Sequence, residues 1–175
     1  ARMSSSRLPG KIMHKICGKT VLELMIERVL KTKTLDKIIV ATTNNKKDDV
    51  IVELCKKTDI EYFRGSEKDV LGRYKFASDM VKADTIVRLT SDNVMSDPLI
   101  IDKVVSEFIK NDYDFICNTV PYPRTYPEGF TVEVFSKKIL DQGFFIRKRP
   151  SDREHVTFFM WMEPNKYKIK RIDYE

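Results

Sequence analysis

The sequence predicts a single α/β domain built on a mainly parallel sheet. Short β-branched runs alternate along the chain with stretches whose apolar residues recur at helical spacing, and the connections between them are short. The 175 residues, 42% apolar and 10% aromatic, suffice for one packed core, because a domain of about 150 residues removes roughly 70% of its unfolded-chain surface from water. No internal repeat or low-complexity segment marks a second domain.

Each element has its own signal. Residues 21–30 set Val21, Leu22, Met25, Ile26, Val29 and Leu30 on one helical stripe, and residues 37–43 (KIIVATT) read as a strand. Asn44 and Asn45 open the next helix, where Asp48 and Asp49 suit the positive end of the helix dipole and Val50, Ile51, Leu54 and Cys55 form the apolar stripe. A strand over 60–63 leads to a helix marked by Val70, Leu71, Tyr74 and Ala77, then to a strand over 85–89. Asp97-Pro98 supplies a cap and a first-turn proline for another helix, followed by a strand over 113–118. Residues 120–129 (VPYPRTYPEG) hold three of the seven prolines and read as a loop. A strand over 130–135 follows. Ser136 caps a helix to about Ile146, Ser151-x-x-Glu154 has the pattern of a capping box, and residues 167–172 form the last strand.

Composition excludes several classes. The content is too apolar for a disordered chain, and no stretch approaches the roughly 20 apolar residues of a membrane helix. Cys17, Cys55 and Cys117 are odd in number and contain no Cys-x-x-Cys pair, so they read as reduced thiols of a cytoplasmic protein. The net charge of +6 suggests a nucleic-acid partner until it is located. Residues 1–22 carry five basic residues and no acid, residues 23–136 carry a net −3, and residues 137–175 a net +4. One short carboxylate-free segment suits a small polyanion such as a nucleoside triphosphate better than a nucleic acid.

Gly18-Lys19-Thr20 looks like the tail of a Walker A loop, but Met13 stands where that loop needs glycine, so these residues are read as a turn into the helix. Residues 1–11 (ARMSSSRLPGK) combine three serine hydroxyls, the cations Arg2, Arg7 and Lys11, and Gly10 beside Pro9. On composition alone they are either a phosphate-holding loop or a solvated basic terminus. Residues 64–73 (RGSEKDVLGR) leave a strand and enter a helix, where Arg64-Gly65 reads as a turn and Asp69 as a cap. Asp92 follows the strand over 85–89 at its carboxyl end, where open α/β sheets bind ligands, though Ser-Asp-Asn also forms Asx turns.

ARMSSSRLPGK, the helix opened by Gly-Lys, IVATT, RGSEKDVLGRY, IVRLTSDN, YPEG with FTVEVFS, and REHVT occur in that order over essentially the whole chain. Together they resemble the spore coat polysaccharide synthesis (SpsF-like) cytidylyltransferases, relatives of the acylneuraminate cytidylyltransferases. The resemblance implies a three-layer α/β/α nucleotide-diphospho-sugar transferase fold, Rossmann-like, with a mainly parallel mixed sheet. The implied reaction is attack of a sugar or sugar-acid hydroxyl on the α-phosphorus of CTP, with release of pyrophosphate. It also implies roles for residues. Arg2, Arg7 and Lys11 hold the triphosphate, with Met3, Ser4 and Ser5 against the base and phosphates. Arg64, Gly65, Ser66, Asp69, Val70 and Arg73 line the nucleotide pocket. Asp92 binds Mg, so that Arg2, Lys11 and Asp92 form the catalytic set.

On the acceptor side the resemblance points to Tyr126, Glu128, Glu133, Arg153 and His155. Arg153 suits a carboxylate or phosphate on the sugar. Glu133 also fits the polar face of a strand, and His155 a structural hydrogen-bonding role. Met160-Trp161-Met162 reads as core or dimer contact. Ser4, Ser91, Asn93, Val94 and Phe158 depart from the family pattern, which has glycine at the first two, then cysteine, proline and proline. A homodimer is expected, as is a strand of about six residues ahead of Ala1 and, after Glu175, a further portion with a second metal-binding acid. A glycosyltransferase of the same fold class and a nucleotide-binding module without turnover are the competing readings.

Overall fold

A computed structural model describes residues 1–5 and 7–174. The α/β alternation is present. A hairpin of β1 (Lys15–Ile16) and β2 (Lys19–Thr20) precedes α1 (Val21–Val29). Then come β3 (Ile39–Thr43), α2 (Asp49–Lys57), β4 (Glu61–Gly65), α3 (Val70–Met80), β5 (Thr85–Arg88), α4 (Pro98–Lys110) and β6 (Phe115–Cys117). After the proline-rich loop follow β7 (Glu133–Ser136), α5 (Lys137–Ile146), α6 (Pro150–His155), α7 (Phe158–Met162) and β8 (Ile169–Arg171). Short 3₁₀ turns occupy Lys11–Met13 and Lys46–Asp48.

Most caps lie where their chemistry puts them. Asp97 accepts from Leu99 N at 2.8 Å with Pro98 in the first turn, and Ser136 accepts from Ile139 N. The Gly-Lys-Thr segment is a hairpin followed by a cap. Cys17 and Gly18 take positive φ (50° and 85°) at the turn, and Thr20 forms a capping box with Glu23. The box expected at Ser151 is absent. Helix α6 begins one residue earlier, at Pro150, whose fixed φ and missing N–H suit a first helical position, so Ser151 lies inside the helix.

The sheet is mixed. β3 and β4 pair in parallel, and a second ladder has the order β5-β7-β6-β8, with β6 and β8 parallel and β7 antiparallel to both its neighbours. β7 alone is reversed in that ladder, because it is reached from β6 by the irregular segment 118–132 and not by a crossover helix. Both faces of the sheet are covered. Ile86, Phe115 and Phe135 point to Leu71, Leu140 and Phe159 on one side. Ile116 and Val134 point to Met25, Ile101 and Val104 on the other, which gives three layers. Gly143 of α5 lets Phe159 approach closely, since a Cβ there would stand 2.3 Å from the ring.

Among the described residues β3 pairs only with β4, and β5 only with β7. Their facing edges, 38–41 and 85–89, line the sides of one cleft of about 890 Å³. Its walls are apolar, with Leu22, Met25 and Ile26 from α1 and Val70, Tyr74 and Ala77 from α3. Midway along β3, Ala41 O accepts from Ala1 N at 2.8 Å. No helix among the described residues is long and apolar enough to cross a membrane.

Candidate active site

At the strands' carboxyl ends the cleft becomes polar, where Arg2, Ser5, Arg7 and Lys11 of the first loop, Thr90, Ser91 and Asp92 after β5, and His155 of α6 line it. Backbone bonds shape the loop. Met3 O accepts from Ser5 N at 3.0 Å and from Gly10 N at 2.8 Å, and Gly10 has φ +71°, so the chain folds back over Met3. Ser6 lies outside the described residues.

Asp48 anchors this loop, although its position in the sequence suggests only a helix-dipole partner. It is 1% exposed, accepts from Met3 N at 2.7 Å and accepts the Thr43 hydroxyl. A buried carboxylate with two donors is a rigid peg between β3 and the loop.

Two ion pairs hold Arg2 and Lys11. Arg2 Nη1 stands 3.7 Å from Glu67 Oε1, and Ser4 Oγ and Asn45 Nδ2 both donate to the same carboxylate. The hydrogen bonds from Ser4 and Asn45 keep the Glu67 carboxyl below its ordinary pKa. Lys11 Nζ donates to Asp92 Oδ2. Burial pushes the Asp92 carboxyl up, but the hydrogen bond and charge of Lys11 outweigh it and leave the pKa lowered. Asp92 sits in a tight turn in which Asn93 N donates to Thr90 O at 3.0 Å and Val94 N to Asp92 O at 3.1 Å.

The second expected segment divides. Val70 and Arg73 line the cleft, but Arg73 is 5% exposed and its Nη1 donates to the carbonyls of Ser66 and Glu67, so it shapes the 66–67 turn from below. Burial lowers its pKa, and its Nε has no partner among the described residues. Gly65 makes room for it, since a Cβ there would come within 3.0 Å of Arg73 Cγ. Arg64 points away and donates to Thr43 O at 2.8 Å, Asn45 O at 2.9 Å and Asp49 at 2.7 Å. Asp69 caps α3 through Gly72 N and accepts from Arg153.

On the acceptor side only His155 lines the cleft. The other four expected there lie outside its lining. Arg153 ties α6 to its neighbours, bonded to Asp69, donating to Phe144 O at 2.9 Å and stacked 4.7 Å over the Phe144 ring, and so has its partners already. Glu133 is buried on β7, accepting from Arg88 at 2.5 Å and Thr157 at 3.2 Å. Tyr126 is 3% exposed and packs edge-to-face on Tyr174 at 5.3 Å, drawn inward by its ring. Glu128 is solvated and pairs with Arg124 at 3.2 Å. Glu67 was not singled out by the sequence. Its signal was its place in the turn between a strand and the Asp69 cap.

Among the described residues no three His, Cys, Asp or Glu side chains converge as a metal cage. Asp92 offers one carboxylate, already facing the Lys11 ammonium as a stand-in cation. That donor set fits Mg²⁺, which takes one or two carboxylates and completes its shell with water and substrate phosphate.

The chain is 31% identical over 180 residues to the spore coat polysaccharide biosynthesis protein SpsF of Bacillus subtilis, covering 99% of this chain and 72% of that protein. A solved cytidylyltransferase structure from Leptospira borgpetersenii is 34% identical, with a TM-score of 0.94 over 99% of this chain and 73% of that one. The structure of CMP:2-keto-3-deoxy-manno-octonic acid synthetase complexed with CTP shares the fold at 16% identity, with a TM-score of 0.75 over 99% of this chain and 87% of that one. The family model described as cytidylyltransferase matches residues 1–171, and the chain belongs to that family.

Proposed function

We propose that the protein activates a sugar or sugar acid with CTP. The acceptor hydroxyl oxygen bonds to the α-phosphorus, the bond to the bridging α–β oxygen breaks, pyrophosphate leaves with its electron pair, and the hydroxyl proton passes to solvent. The observation that carries this reading is the carboxylate-free loop bearing Arg2, Arg7 and Lys11, folded over the carboxyl end of β5 opposite Asp92. Phosphoryl transfer asks the protein chiefly for positioning and charge neutralisation, which such a loop supplies. Arg2, Arg7 and Lys11 contact the triphosphate, backbone N–H groups near Ser5 orient it, and His155 stands on the acceptor side. Asp92 holds Mg²⁺, which when bound neutralises phosphate charge.

The family membership supports CTP as the nucleotide, and the SpsF relative supports a product used in spore coat or other surface polysaccharide synthesis. A homodimer is supported by Phe76, Phe145 and Ile146, exposed apolar side chains on α3 and α5.

Calorimetry and pyrophosphate release with a panel of nucleoside triphosphates, with and without Mg²⁺, test the reading. CTP is expected to bind most tightly, with pyrophosphate released on adding a sugar acid. Preference for a UDP- or GDP-sugar over CTP, or CTP binding without turnover across a broad acceptor panel, overturns it.

A further inference from the structure

The Lys11–Asp92 pair joins the side chain proposed to hold triphosphate to the one proposed to hold the cation. Each role competes with the pair, because a cation on Asp92 Oδ2 competes with the ammonium and a phosphate on Lys11 Nζ competes with the carboxylate. Both side chains are half-buried, at 27% and 35% exposure, so breaking the pair and leaving either charge alone is unfavourable. We infer that Lys11 and Asp92 form a resting latch opened by partner exchange, in which a metal-bound triphosphate gives phosphate to Lys11 and the cation to Asp92 in one event. This rests on the proposed nucleotide site and goes beyond it in fixing how the two ligands depend on each other.

The charges decide the order. A bare divalent cation has to push off Lys11 and leaves that ammonium beside a second positive charge. A bare triphosphate takes Lys11 and leaves the Asp92 carboxylate facing an anion of its own sign. Only the two together give every charge an opposite partner. Arg2 and Glu67 are not such a latch, because Glu67 keeps Ser4 and Asn45 as donors when Arg2 turns away. Metal and nucleotide therefore bind with positive coupling, which linkage makes reciprocal.

The test uses Mn²⁺ as the spectroscopic probe of the cation site, with circular dichroism to confirm folding. In Mn²⁺ titrations by electron paramagnetic resonance without nucleotide, Lys11→Met is expected to bind about fivefold or more tightly than wild type, with Lys11→Gln in parallel. In calorimetry with CTP in EDTA, Asp92→Asn is expected to bind the bare nucleotide more tightly than wild type, and to lose the tightening that Mg²⁺ gives wild type. Unchanged or weaker Mn²⁺ binding in both Lys11 variants, or weaker bare-CTP binding in Asp92→Asn, overturns the latch. If wild type binds no CTP even with Mg²⁺, the proposed function fails, while the Mn²⁺ arm still decides whether Lys11 blocks the cation site.

Discussion

Arg88 and Glu133 are direct partners across the β5–β7 register, and Arg88 Nη1 donates to Glu133 Oε2 at 2.5 Å in a site almost closed to water. Desolvation acts to lower the Arg88 pKa, but the Glu133 carboxylate overcomes it and the net shift is upward. Tyr74, its own pKa raised by burial, lies against the same pair. Removing one partner strands the other charge in the core, so Glu133→Ala is expected to cost about 3–5 kcal/mol of stability. The double variant Arg88→Met/Glu133→Leu is expected to recover most of that loss. Denaturant melts of the single and double variants check both, and a Glu133→Ala protein of wild-type stability would contradict the assignment.

Asp48 gives a separate prediction, because its bonds hold the loop and not the ligand. Asp48→Ala leaves Met3 N–H and the Thr43 hydroxyl without an acceptor and is expected to cost about 2–3 kcal/mol. Triphosphate affinity is expected to fall although no ligand-contacting group is touched. Thermal melts and CTP calorimetry on the same variant check the pair of effects, and Asp48→Asn should restore part of each.

The thiols offer a simple probe of packing. Cys17 is exposed at the hairpin turn, while Cys55 and Cys117 are buried. Burial, with the nearby Glu133 charge, pushes the Cys117 thiol up to about 11. Mass spectrometry after alkylation at neutral pH is expected to show modification at Cys17 alone in the native protein, and at all three cysteines in denaturant.

Acid sensitivity is expected to arise in part where α3 meets α5. Asp79 pairs with Lys137 at 2.8 Å and with Lys75, and Asp141 pairs with both lysines. Desolvation acts to raise the Asp79 pKa, but the hydrogen bonds from Lys137 and Lys75 outweigh it and hold it below its ordinary 3.8. A carboxyl with a depressed folded pKa stabilises above its unfolded pKa and loses that contribution as pH falls through the folded one. Asp79 is 40% exposed, so the effect is expected to stay under about 1 kcal/mol after solvent screening. Comparing wild type with Asp79→Asn from pH 6 downward should show the two stability curves converging as the solution is acidified.

The order of helices and strands was legible because it rests on local signals, the two periodicities and caps such as Asp97 and Ser136. The small hairpin at Lys15–Thr20 was not, since strands of two residues carry no periodicity and Gly18 alone marks the turn. Residue type alone drew attention to Arg2, Arg7, Lys11 and Asp92, which the fold brings to one end of the cleft. The site was hidden where a partner lies far along the chain. Met3 is 45 residues from Asp48, and Arg153 is 84 residues from Asp69. No spacing rule indicates that one carboxylate becomes a peg, or that an arginine suited to a sugar acid already has a carboxylate at its tip. Glu133 sits on an alternating strand in either case. Only the neighbouring β5 reveals that it faces an arginine and not water.

The tight seat of the Phe159 ring on Gly143 has a consequence for mutational tolerance. A side chain added at residue 143 has to push that ring aside, because its first carbon would stand 2.3 Å from it. Phe159 shares its core with Val156, the residue that follows His155. A single methyl added on α5 is therefore felt next to the histidine that borders the cleft.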